Sequence, residues 1–109
     1  MSHHSQLFKC LSEPVRLRIV TLLCQFDELC VCEFIDILEL PQSVISRHIS
    51  YLKRHQLLHA SKRAQWVFYA LDKQHPFTAV IQSFLTSFGD DEPMLGDLKR
   101  ANQCQLNCQ

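Results

Sequence analysis

A mainly α-helical fold with one small β-hairpin is predicted by three features of the 109-residue sequence. Glycine occurs only at Gly89 and Gly96, which leaves no Gly-rich phosphate loop and few breaks for helices. Apolar residues recur three and four apart along most of the chain, the period of a helix with one buried face. That period gives way once, to two stretches rich in strand formers, His59 to Lys62 and Trp66 to Leu71.

Taken in order, Ser5 to Leu11 places Leu7, Phe8 and Leu11 on one stripe, a short first helix that needs a partner to bury against. Ser12-Glu13-Pro14 reads as a helix start, with a capping hydroxyl and a proline in the first turn. Val15, Ile19, Leu22 and Leu23 follow at helical spacing. Cys10 and Cys24 lie at or near these stripes and read as small buried hydrophobes. A short helix is predicted over Cys32 to Leu38, broken at Leu40-Pro41-Gln42, and a longer one from about Gln42 to His55. At 100° per residue Ile45, Ile49 and Leu52 share a narrow sector that must face the core, with Ser43, Ser46, Arg47, Ser50 and Arg54 opposite. The two strand-forming stretches, joined by Arg63-Ala64-Gln65, make a hairpin with a basic tip. From Pro76 a last long helix carries Phe77, Val80, Ile81, Phe84, Leu85 and Phe88. Phe77, Ile81, Phe84 and Phe88 keep coiled-coil-like spacing, which with the first helix suggests a dimer seam. Residues 1–89 are expected to form one domain, which includes this seam, and residues 90–109 a tail carrying Cys104 and Cys108.

Charge is neutral in total, with eleven Lys and Arg against eleven Asp and Glu, but unevenly placed. From Leu40 to Leu71 there is no acid, while Arg47, Lys53, Arg54, Lys62 and Arg63 fall there with His48, His55 and His59. Such a one-sided field is the footprint of a phosphate-binding surface, and a helix face of serine and arginine suits phosphates and base edges. A solvated basic face is the plainer account of the same clustering. No apolar run is long enough to span a bilayer, and the N-terminus lacks the layout of a secretory signal, so a soluble, cytoplasmic protein without membrane partners is expected. In a reducing compartment six cysteines point to metal or redox chemistry for some and burial for others.

The order helix, helix, short helix, turn, basic helix, basic hairpin, helix is that of a winged helix-turn-helix. The stretches LFKCLSEPVRLRIVTLL, ELCVCE, ISRHISYLKRHQLL and WVFYAL carry a closer likeness. Through them the chain resembles the ArsR/SmtB family of metalloregulatory repressors, in its arsenic-responsive branch, over roughly Gln6 to Leu71. The resemblance implies a homodimer bound to double-stranded operator DNA, with Gln42, Ser43, Ser46, Arg47 and His48 at the major groove and Lys62, Arg63 and Gln65 in the wing. It further implies that Cys30 and Cys32 bind trivalent arsenic or antimony as inducer, with no cofactor required. The chain differs from the family pattern at three places. Pro41 stands where a capping serine is usual, which would shift the helix start; Ala64 stands where the wing tip usually has glycine; and Ile35 stands where arsenic-responsive relatives often carry a third cysteine. The zinc site of acidic and histidine residues on the last helix is not supported, since Gln74 stands two residues after Asp72 and no histidine follows His75.

Trivalent arsenic is soft and takes thiolates. Two thiols separated by one residue diverge inside a helix and converge only if Cys30 precedes the helix and Cys32 lies in its first turn. There the positive helix end is expected to lower their pKa. A third ligand could be Cys104 or Cys108, which share a helical face, or an external thiol or water. Two other inputs fit the same fold: a disulfide or persulfide made by oxidation, and cadmium, lead or zinc at the same thiols. A thiol enzyme is disfavoured, because no C-x-x-C sits on a strand-to-helix turn.

Overall fold

The computed structural model describes residues 3–75, 78–86 and 93–107. Its elements are α1 (His3–Leu11), α2 (Pro14–Gln25), β1 (Leu29–Cys30), α3 (Val31–Leu38), α4 (Gln42–Arg54), β2 (Leu58–Arg63), β3 (Trp66–Leu71), α5 (Thr78–Thr86) and α6 (Met94–Asn107). The strands form one antiparallel sheet in the order β1-β3-β2. Ile19, Leu22, Leu29, Phe34, Ile37, Ile45, Leu52 and Leu57 fill the core between the helix-turn-helix and this sheet.

Each helix start has a local cause. Pro14 opens α2 without losing a hydrogen bond, and the Glu13 carboxylate accepts from the Arg16 N–H at 2.9 Å. Glu13 is therefore the cap in place of the expected Ser12, whose hydroxyl donates at 2.8 Å to the Lys9 carbonyl and closes α1 instead. Helix α4 begins at Gln42 as the sequence predicts. Pro41 supplies no side-chain cap, but its extended backbone and its carbonyl, which accepts from Val44 and Ile45 at 3.1 Å, do the work without a shift. Ile45, Ile49 and Leu52 are buried as expected.

Three turns place non-glycine residues at positive φ: Glu39 at 58°, Gln56 at 66° and Ala64 at 55°. Glu39 ends α3 and leads into α4. Gln56 ends α4 with its own N–H on the Lys53 carbonyl and the Leu57 N–H on the Leu52 carbonyl, both at 3.0 Å, the paired bonds of a Schellman end. Ala64 forms the wing tip in a left-handed conformation despite its Cβ. Pairing of Arg63 with Trp66 leaves a two-residue turn, one residue shorter than the sequence suggested.

Two features depart from the sequence reading. The first is β1, which makes the sheet three-stranded: Leu29 pairs with Tyr69 and Cys30 with Phe68. Two residues are too few to show a period. The second is the chain after residue 93, expected as a tail, which forms α6 and packs on α2 and α3. Its charges are spent inside the protein. Asp97, with 1% of its side chain exposed, accepts from Arg18 at 2.8 and 2.9 Å and from Arg100 at 2.9 Å. Arg18 also donates to the Leu38 carbonyl at 3.2 Å and Arg100 to that of Ile37 at 2.6 Å, so α6 holds the C-terminal end of α3. Ala101 is buried and Leu98 and Cys104 pack on the core along the same face. In α5, Ile81 and Leu85 face inward while Val80 and Phe84 are exposed; Phe77 and Phe88 lie outside the described residues.

Replacing Gln56 by glycine relieves a left-handed Cβ and should stabilise the fold by about 0.5–1 kcal/mol, read from the urea midpoint. Asp97→Asn leaves two guanidinium groups facing a neutral amide. It should cost roughly 2–4 kcal/mol and speed hydrogen exchange in α6 before the rest of the protein.

Candidate thiol site and nucleic-acid interface

Cys30 is at once the last residue of β1 and the N-cap of α3, with φ −92° and ψ 168°. Its N–H donates to Glu33 Oε1 at 3.0 Å, and its sulfur faces the Glu33 backbone N–H, a capping box with a thiol in the usual place of a hydroxyl. Cys32 follows in the first turn of α3 and is exposed. The C-x-C therefore straddles a helix start, the arrangement that allows the two thiols to converge.

The expected fall in thiol pKa does not occur at Cys30, where burial pushes the thiol up to about 11. The Glu33 carboxylate and the nearby Cys32 add to the rise, and together they outweigh the Glu33 backbone N–H that favours the thiolate. Of the other cysteines, Cys10 is buried and raised by desolvation, and Cys24 is pushed up to about 11 by the same cause. Cys104 is half-buried on α6 and Cys108 lies outside the described residues. Among the described residues no three His, Cys, Asp or Glu side chains converge to hold a metal ion. The local soft donors are thus the two thiols.

Beside them lies an open groove of about 710 Å³. Phe26, Trp66 and Phe68 give it an aromatic wall, and Asp27, Glu28, Glu33 and Asp36 an acidic rim. Two of those three aromatic residues belong to the wing. Trp66 and Phe68 project from the same face of β3, and Phe68 stands opposite Cys30 in the strand register. The alternation in WVFYAL contains this signal, but only the unforeseen β1 brings it to the thiols.

On the opposite side of α4, Gln42, Ser43, Arg47, Ser50 and Arg54 are exposed and Ser46 is half-buried. Arg47 makes no ion pair with a carboxylate among the described residues. Lys62 and Gln65 are exposed on the wing. Two of the residues expected at DNA also make contacts inside the protein. His48 is buried, with Nδ1 3.4 Å from the Arg16 guanidinium and 3.7 Å from Glu13, and desolvation lowers its pKa. It joins the recognition helix to the start of α2, since its position on the wheel is next to Ile45 and Leu52 more than to Arg47. Arg63 pairs with Glu28, and its guanidinium lies 4.0 Å from the centre of the Phe68 ring. Arg16, which the sequence did not single out, stacks on Tyr51 at 4.0 Å and donates to the Cys10 carbonyl at 2.9 Å, tying α1, α2 and α4 together.

A basic, acid-free helix presented by a helix-turn-helix, beside a three-stranded wing, defines a DNA-binding transcriptional regulator and not an enzyme. Residues 13–59 match the family model described as bacterial regulatory protein, arsR family, and the chain belongs to that family. It is 41% identical over 70 residues to the arsenic resistance transcriptional regulator ArsR1 of Pseudomonas putida, covering 64% of this chain and 55% of that one. It is 44% identical over 71 residues to an arsenical resistance operon repressor of Escherichia coli, covering 65% and 61%. The chain thus spans little more than half the length of these curated relatives. Among solved structures, HlyU from Vibrio cholerae superposes with a TM-score of 0.68 at 31% identity, over 80% of this chain and 88% of that one.

With its thiol protonated at neutral pH, Cys30 should be alkylated by iodoacetamide more slowly than exposed Cys32. Its rate should climb about tenfold per pH unit between pH 7 and 9, as the thiolate fraction does below a pKa near 11. A Cys30 rate that levels off by pH 8, followed by peptide mass spectrometry, would contradict the assigned burial.

Proposed function

We propose that the protein is a cytoplasmic, homodimeric repressor that binds operator DNA and leaves it when trivalent arsenic or antimony is captured by Cys30 and Cys32. The observation that carries this reading is the position of the C-x-C across the start of α3, the first helix of the helix-turn-helix. Arsenous acid exchanges two hydroxyls for two thiols, each thiol proton leaving as water, and arsenic stays trivalent. A thiol that caps a helix cannot keep its place in the capping box and also take the geometry of a bridged arsenic. The rearrangement at Cys30 passes along α3 to Glu39 and the start of α4. Ligand and operator then compete through shape, and by linkage each weakens the other by the same factor.

DNA binding itself is assigned to Gln42, Ser43, Ser46, Arg47, Ser50 and Arg54 on α4, with Lys62 and Gln65 of the wing. Phe8, Val80 and Phe84 are large apolar side chains exposed on α1 and α5, the surface a second copy would cover, and support the dimer. A two-fold protein reads a palindromic operator.

Fluorescence anisotropy on the upstream DNA, titrated in turn with arsenite, cadmium, zinc and peroxide, tests the reading. Wild type should be released by arsenite, Cys30→Ser and Cys32→Ser should bind DNA normally yet stay bound, and Cys10→Ser and Cys24→Ser should respond as wild type. Arg47→Ala should weaken binding with thiol reactivity intact. Release of Cys30→Ser at wild-type arsenite concentrations would remove the site from consideration. Release by cadmium or peroxide and not by arsenite would reassign its input.

A further inference from the structure

We propose that the groove walled by Phe26, Trp66 and Phe68 binds a planar organic cation of the guanidinium or amidinium class, stacked on the aromatic wall and paired with the carboxylates of Asp27 and Asp36. No bond to Cys30 or Cys32 is involved, and the site goes beyond the function assigned above.

The groove already holds one such cation, supplied by the chain itself. The Arg63 guanidinium lies 4.0 Å from the centre of the Phe68 ring and pairs with the Glu28 carboxylate, and both Phe68 and Glu28 line the groove. A flat cation on an aromatic face, with a carboxylate to receive its N–H groups, is thus the arrangement that these walls select. The rest of the lining repeats those parts. Trp66 and Phe26 offer further aromatic surface, and no Arg or Lys among the described residues stacks on either. Asp27 and Asp36 are exposed on the same groove and pair with no cation among the described residues.

Size, shape and charge each narrow the ligand. A groove of about 710 Å³ falls in the range of pockets for organic molecules, and among the described residues no three donors converge on a metal ion. Trp66 is 47% exposed, a costly residue to leave in water on a strand, and a flat cation would cover its face. A planar fork also meets a carboxylate through two N–H groups at once, whereas an ammonium is a strongly hydrated point charge. The four carboxylates of the rim attract cations, while the acid-free face of α4 attracts phosphate, so the two ligands are sorted to different sides of the molecule. Trp66 comes from β3, Asp36 from α3 and Asp27 from the turn before β1, so a bound cation would bridge the wing and the helix-turn-helix.

The test uses the full chain with benzamidine as the probe, benzamide as its neutral isostere and benzoate as the matching anion, at one fixed ionic strength so that general screening is constant. Calorimetry gives the affinities, and fluorescence of Trp66, the one tryptophan, reports on the wall. Wild type should bind one benzamidine per chain with a change in Trp66 emission, bind benzamide about tenfold or more weakly, and leave benzoate unbound. Trp66→Ala should weaken benzamidine about three- to tenfold, the worth of one cation–π contact, and Trp66→Phe should restore most of it. An Asp27→Asn, Asp36→Asn double variant should lose the preference for benzamidine over benzamide. A circular dichroism melt shows each variant folded. No binding of benzamidine at millimolar concentration, equal affinities for benzamidine and benzamide in wild type, or a benzamidine affinity unmoved in folded Trp66→Ala or in the folded double variant would each overturn the proposal.

Discussion

The Cys30–Glu33 capping box is the joint on which the structure turns. Cys30 closes a strand that belongs to the wing and opens a helix that belongs to the helix-turn-helix, and the Glu33 carboxylate on its N–H fixes the angle between them. The wing and the helix-turn-helix thus meet at one residue. Burial is what makes the joint rigid, and burial is also what keeps its thiol protonated. A capping serine would hold the helix equally well. A cysteine holds it and leaves a group that a soft electrophile can take.

Helix α3 is gripped at its far end too. Arg18 and Arg100 donate to the Leu38 and Ile37 carbonyls, and Asp97 on α6 neutralises both arginines. Its C-terminal carbonyls are clamped by arginines, whereas its N-terminal end is held by the Cys30–Glu33 capping box. In the proposed response, movement begun at Cys30 would not be absorbed by fraying at Ile37 and Leu38, which the arginines hold, and would pass to the Glu39–Pro41 turn and the wing.

The parts of this architecture that follow a period were legible in the sequence. The buried sector of α4, the exposed Ser43, Arg47, Ser50 and Arg54, the hairpin and the C-x-C at a helix start are all local patterns, and local patterns survive into the fold. What escaped was set by distant partners. Strand β1 exists because β3 lies beside it. Helix α6 looked like a charged tail because Asp97 meets Arg18 across 79 positions of sequence. His48 sits at the edge of the helical wheel and was drawn inward by Glu13 and Arg16. The helix dipole argument at Cys30 was sound in sign and lost to desolvation, which no single-residue pattern reports.

The Arg63–Glu28 pair bears on what the wing would bring to DNA in the proposed complex. A free arginine at a phosphate expels a condensed cation from the duplex and draws much of its affinity from the entropy of that release. Arg63 already has a counterion, built into the chain. To reach a phosphate it must leave Glu28 bare beside a polyanion, so its exchange of partners releases little and adds a repulsion. On the proposed DNA-binding reading, Arg63 would add less to the ionic-strength dependence of binding than Lys62, which has no such ion pair among the described residues.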